Sequence, residues 1–195
     1  MDFFTGEGGG SEVPTGAING LFSVAPGYQV YFSQGNLQYQ ASTNTWRFAE
    51  HQWDYVGEGN NNISPNYNGW IDLFGWGTSG YDHGAVCHQP WSTSQNPHDY
   101  EAYGNWQYNL FDQNGQADWG CNAISNGGNT ENSGWRTLNR EEWTYVIDGR
   151  STASGARFAK ASVGGIKGVI LLPDNWQSSI YALNNVNQKE VGYQT

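Results

Sequence analysis

Three stretches of the 195-residue sequence hold side chains whose types could do chemistry. The first, YDHGAVCHQPWSTSQNPHDYE, gathers Asp82, His83, Cys87, His88, His98, Asp99 and Glu101. His83, Cys87 and His88 are zinc-ligand types, but their spacing matches no established zinc pattern. In a Gly/Pro-rich loop such residues cap turns, so this stretch reads as structure. The second, FDQNGQADWG, places Asp112, Asn114 and Asp118 around an Asn-Gly pair. Bunched hard oxygen ligands suit calcium, although this is not the EF-hand spacing, and an acidic Asx-type turn is the competing reading. The cofactor expectation is therefore none, with calcium on that trio as the alternative.

The third, GWGTSGYDHG, offers Ser79 as a nucleophile. It lacks the Gly-x-Ser-x-Gly order, since Gly80 follows directly, and it reads as a turn. Glu141 and Glu142 are adjacent on a helical pattern and point apart, unlike a glycosidase pair. Cys87 and Cys121 enclose a loop of about 34 residues. If paired, they would stabilise the fold by on the order of 3–4 kcal/mol; otherwise they are two separate thiols. No convergent catalytic set emerges, and the expectation is a non-enzyme.

Composition narrows the partners. The net charge is −10, with only eight Lys plus Arg, scattered from Arg47 to Lys189. No run of them could neutralise a row of phosphates, which argues against nucleic acid and against an anionic membrane surface. No stretch approaches the roughly 20 apolar residues of a membrane helix. The start, MDFFTGEGGGSEV, is acidic and Gly-rich rather than a signal peptide, so any leader was removed or never present. Charged residues make up 13% and hydrophobic ones 37%, yet aromatics reach 15%. Each aromatic buries roughly 150–250 Å², so few of them can build a core.

The elements that must position these groups are sparse. Residues 1–16 read as a flexible arm, and residues 17–195 as one domain. In GYQVYFS, Tyr28, Val30 and Phe32 alternate with Gln29 and Tyr31, as in a half-buried strand. NLQYQAS and TWRFAEHQWDYVG give two more strands around a Ser-Thr-Asn turn. From Gly57 to Asn132 the pattern dissolves, pinned by Trp70, Phe74, Trp76, Trp91, Trp106, Tyr108 and Trp119 as anchors. GWRTLNREEWTYVIDGR carries the one clear helix. Asn139 caps it, Glu142 completes a capping box, and Trp143, Val146 and Ile147 share a face. ARFAKASV and GVILLPDNW then form a hairpin around Gly-Gly, with Val169 to Leu172 as a buried central strand.

WRTLNREEWTYVI resembles the helix entry of the formylglycine-generating-enzyme-like branch of the C-type lectin fold. FSVAPGYQVYFSQGNLQYQ, WRFAEHQWDYVG, IDLFGWGTSGY, ADWGCNAISNGG and KGVILLPDNW are similar to phrases of paralogous surface proteins of gut Bacteroidetes. That family's wider scaffold includes retroelement-diversified ligand-binding proteins, some at phage tail tips. The resemblance covers roughly residues 16–180. It implies a mixed α+β, C-type-lectin-like domain: a small twisted antiparallel sheet, one main helix and long aromatic-anchored loops. In it the helix packs on the sheet, Trp135 plugs the helix entry, and Arg136 is a guanidinium at a buried edge. The sugar-binding motifs Glu-Pro-Asn and Gln-Pro-Asp are absent. The cysteine pair of the formylglycine-generating chemistry lies C-terminal in that family, whereas Cys87 and Cys121 precede the helix. Relatives continue beyond LLPDNW, and this chain stops at Thr195, which implies a short member or strands supplied by another chain.

The expectation from all this is an extracellular or cell-surface domain, alternatively on a virion, that binds a protein or glycan through its loops. Trp91, Tyr100, Tyr103, Asn105, Trp106 and Tyr108 are the expected contact residues, in the Tyr/Trp/Asn/Ser palette of antibody loops. An assembly subunit joined through open sheet edges, and so a homo-oligomer, is the second expectation. A formylglycine-generating-like enzyme is the third.

Overall fold

The computed structural model, described over residues 4–7 (backbone only), 12–75, 78–80, 89–92, 118–179, 181 and 183–189, is a mixed α+β structure of small antiparallel ribbons and one short helix. It divides into two compact units. One comprises Met1–Gly6, Pro14–Ala17 and Ser33–Thr137; the other comprises Glu7–Val13, Ile18–Phe32 and Leu138–Thr195.

In the first unit, β4 (Leu37–Gln40) and β5 (Thr45–Phe48) pair antiparallel. Their turn places Asn44 at φ 48°, a left-handed conformation that Asn tolerates. The register sets Leu37 opposite Phe48 and Tyr39 opposite Trp46, so one face is wholly apolar. These four join Ile71, Trp119, Ile124 and Trp135 in a buried cluster. Its rings meet edge-on, with Phe48 and Trp135 centroids 4.8 Å apart and Trp46 and Phe74 5.4 Å apart. Irregular chain passes close by: a Cβ on Gly120 would lie 1.6 Å from the Trp135 carbonyl oxygen, so only glycine fits. Phe4–Glu7, expected within a flexible arm, instead forms β1, antiparallel to β6 (Arg136–Thr137).

The second unit begins with the hairpin of β2 (Ala17–Ala25) and β3 (Tyr28–Ser33), turned at Gly27 with φ 76°. The expected alternation along β3 fails at both ends. Tyr28 is 52% exposed beside the turn, whereas Val30, Tyr31 and Phe32 are all buried, because this part of the strand is covered on both faces.

The helix α1 (Arg140–Thr144) starts where the capping box demands. Asn139 Oδ1 accepts from the Glu142 N–H at 2.8 Å, and Glu142 Oε2 accepts from the Asn139 N–H at 2.9 Å. It continues as one wide π-turn over Tyr145–Gly149. Val146 is fully buried there, while Trp143 and Ile147 are half-buried. Trp143 lies 5.8 Å from the Phe32 ring.

β7 (Phe158–Val163) and β8 (Ile166–Leu171) pair in full register around Gly164 and Gly165, both at positive φ, as a two-residue hairpin turn requires. The hairpin is as expected, but among the described residues β8 is an edge strand rather than a central one. Among the described residues it pairs with β7 alone, so Val169 is 47% exposed and only Leu172 is buried.

Among the described residues the buried cation is Arg150 rather than Arg136, and it ties the pieces of the second unit together. Arg136 is half-buried and donates to the neighbouring Thr137 carbonyl at 3.3 Å. Arg150 has no exposed side-chain surface; it donates to Asp174 Oδ1 at 2.9 Å and to the carbonyls of Val146 and Arg157 at 2.8 and 2.7 Å. Asp174 Oδ2 accepts from the Ser23 N–H, the Ser23 hydroxyl and the Gln29 amide at 2.6–2.8 Å. One ion pair thus joins β2, β3, the π-turn and the segments flanking β7 and β8. Burial lowers the Arg150 pKa, and Asp174 opposes that shift. Replacing Arg150 with Met strands a carboxylate and two carbonyls, an expected loss of about 3–5 kcal/mol in urea unfolding. Arg150→Lys should recover little of it, because an ammonium cannot reproduce the guanidinium fork across three acceptors.

Candidate functional site: a polar pocket on the β4–β5 ribbon

Most of the residues expected to touch ligand or metal lie outside the described part of the chain: Tyr100, Tyr103, Asn105, Trp106, Tyr108, Asp112, Asn114 and Cys87. Trp91 is described, and it packs half-buried against the aromatic cluster of the first unit, as an anchor. Cys121 ends a short 3-10 turn over Trp119–Cys121, but its expected partner is not described. Ser79 is buried, its carbonyl accepting from the Asn122 amide, and Gly80 behind it takes φ 78°, as a turn would.

Asp118, expected as a calcium ligand, is 1% exposed. Its Oδ2 accepts from the Thr137 N–H at 2.7 Å and its Oδ1 from the Gly120 N–H at 3.4 Å. Both oxygens therefore serve the backbone in this structure. Among the described residues no three His, Cys, Asp or Glu side chains converge as a metal site.

The described residues bring together a different set. The outer face of the β4–β5 ribbon carries Gln38 and Arg47, directly opposite one another in the register. Arg47 Nε donates to Gln38 Oε1 at 2.9 Å, and its guanidinium carbon lies 3.7 Å from the Trp70 ring centroid. That stack and hydrogen bond hold the planar fork in one orientation. Its two terminal nitrogens donate to no protein group among the described residues. Burial lowers the Arg47 pKa from its usual value.

Arg47 lines a pocket of about 400 Å³ together with Gln34, Gln38, Glu50, Asp54 and Asn126. The wall is stiff for local reasons. Asn126 continues the ladder of β5 with its side chain, accepting from the Phe48 N–H at 2.8 Å and donating to the Phe48 carbonyl at 2.9 Å. Gln34 Nε2 donates to the Ala49 carbonyl at 3.1 Å. Gly35 lets this chain pass close to Ala49, since a Cβ would lie 2.5 Å from its carbonyl oxygen. Asp54 closes a turn in which its Oδ2 accepts from the His51 N–H at 2.8 Å. On the same turn Trp53 stacks on His51 at 4.6 Å and stays 45% exposed. Tyr55 and Leu73, 65% and 67% exposed, lie on segments clamped together by Asp72 and Asn60: Asp72 Oδ2 accepts from the Val56 N–H, and Asn60 Oδ1 from the Leu73 N–H. The arrangement offers fixed donors, open carboxylates and an exposed aromatic on one turn, the parts of a binding site.

Sequence reasoning missed this pocket because it weighed clusters along the chain. Gln38 and Arg47 meet only across the ribbon, and the signal that could have found them was the turn at Ala41–Asn44, which fixes their register.

Asp118 supplies a pH test of the frame. Burial pushes its carboxyl above its ordinary value of 3.8, against the N–H bonds from Thr137, Gly120 and Trp119. The folded state thus holds this proton more tightly than the unfolded state. The associated stability is full below 3.8 and falls as pH rises through the folded pKa. Asp118→Asn, which swaps an acceptor for an NH₂ against a backbone donor, should cost about 1–3 kcal/mol at acid pH. The gap to wild type should narrow as pH rises, in urea melts run from acid to neutral pH. Compared with protein-family models, with curated proteins and with solved structures, the chain matches none.

Proposed function

We propose that this chain is a non-catalytic, C-type-lectin-like ligand-binding domain, working outside the cell or on a particle and presenting its loops to a protein or glycan. One observation carries the reading: a polar pocket whose lining includes Asp54, the residue between Trp53 and Tyr55, large aromatics left 45% and 65% exposed on a segment tied down by side-chain hydrogen bonds at His51 and Val56. Rigid aromatic contact area flanked by amides and carboxylates is what a recognition surface needs, at low entropy cost on binding. The lectin-like architecture draws support from the capped helix entry, the small ribbons and the long loops pinned by Phe74, Trp91 and Trp119. The expected contacts in 100–108 extend the same palette.

The test is capture on glycan and extracellular-protein arrays by wild type and by a Trp53→Ala/Tyr55→Ala variant. The reading expects a captured ligand, a loss of about tenfold or more in the variant, and unfolding within about 0.5 kcal/mol of wild type. No ligand on either array, or equal capture by both proteins, would contradict it.

A second reading, assembly through an open edge, is favoured by β8, whose Ile166 and Val169 are 40% and 47% exposed with no further strand beside them among the described residues. Light scattering separates the two. The binding reading expects a monomer at micromolar concentration, and a multimer abolished by Val169→Lys would carry assembly instead.

A further inference from the structure

We infer that the Arg47 pocket seats one residue of a neutral, hydroxyl-rich saccharide, with hydroxyls bridging Arg47 to Glu50 and Asp54. The inference rests on the ligand-binding reading and names the chemistry of its ligand. Three sets of polar groups in the pocket are left open by the protein. Among the described residues the two terminal nitrogens of Arg47 donate to nothing, the Glu50 carboxylate accepts nothing, and Asp54 uses Oδ2 alone, leaving Oδ1 open. Arg47 makes no ion pair with either carboxylate, although all three line the same pocket. The pocket lining therefore carries both open donors and open acceptors.

Charge decides among ligand classes. A carboxylate or phosphate would suit Arg47 alone, yet it would face Glu50 and Asp54 in a chain of net charge −10. An ammonium ligand would suit those two and meet Arg47 as a like charge. A hydroxyl both donates and accepts, so vicinal hydroxyls of a pyranose ring satisfy all three groups without burying a charge. The pocket volume of about 400 Å³ holds a monosaccharide residue with its waters. Trp53, on the turn that carries Asp54, stacks on His51 and stays 45% exposed. Because Arg47 is already fixed by Trp70 and Gln38, little rotamer freedom is lost when it engages.

The experiment is calorimetry and saturation-transfer NMR on the full chain with four neutral probes, oligosaccharides of glucose, galactose, mannose and N-acetylglucosamine, and one acidic probe, an oligogalacturonate. The inference expects at least one neutral probe to bind more tightly than the acidic one. Glu50→Gln, which keeps shape and sits exposed, should weaken that probe by about tenfold, with thermal unfolding unchanged. Arg47→Lys should do the same by removing the fork. Preference for the oligogalacturonate would overturn the neutral assignment, as would binding untouched by both substitutions. If no probe binds while the protein array captures a partner, the saccharide inference fails and the binding-domain reading stands. If that array is also empty, both fail.

Discussion

With so little regular structure among the described residues, buried N–H and C=O groups that no ladder or helix serves must find other partners, and this constraint shapes both units. The solution recurs in both units: a short polar side chain takes the place of a missing strand. Asn126 completes β5 at Phe48, Asp118 holds the Thr137 N–H, and Asp72 holds the Val56 N–H. Asn187 does likewise at Arg157, accepting from its N–H at 2.7 Å while its amide reaches the Gly155 carbonyl. Arg150 and Asp174 are the charged form of the same device, serving two carbonyls, an N–H, a hydroxyl and an amide between them. The composition follows from this need, since Asn and Asp are the residues that can imitate a backbone neighbour.

The aromatics solve the complementary problem. Irregular chain buries little apolar backbone surface, so each Trp must cover much of it. Trp46, Trp119 and Trp135 are at most 4% exposed and hold segments far apart in sequence against β4 and β5. With the inner face of that ribbon committed to packing, its outer face is free to carry Gln38 and Arg47. The candidate site is thus a consequence of the period-2 alternation that builds the core on the other side. Rigidity reaches the pocket through the strand itself, which is why a solvent-facing guanidinium can be held ready for a ligand.

Local signals in the sequence were legible where local geometry decides. The Asn139–Glu142 capping box and the Gly164–Gly165 hairpin are both present, because a cap and a tight turn each depend on a few adjacent residues. Trp119 as a buried anchor was also readable, as a large aromatic in a Gly-rich tract has few other uses. Long-range choices were not legible. Nothing in the spacing tells Arg136 from Arg150; what separates them is the reach of Asp174, 24 residues beyond Arg150. The apolar run Val169–Leu172 resembles a central strand, yet burial there depends on neighbours that periodicity cannot supply. Asp118 was expected as a calcium ligand because carboxylates beside Asn-Gly suit calcium, and the Thr137 N–H from which its Oδ2 accepts is a partner that spacing along the chain does not reveal.

The account stands on side chains holding irregular backbone as firmly as a sheet would. Amide hydrogen exchange read residue by residue at Ser23, Phe48, Val56 and Thr137 tests this most directly, since each N–H is bonded to an Asp or Asn side chain. The account predicts slow exchange at these four, comparable with amides inside the β4–β5 and β7–β8 ladders. Exchange at the rate of open loops, with only the ladders protected, would contradict it and would remove the rigid frame on which the pocket depends.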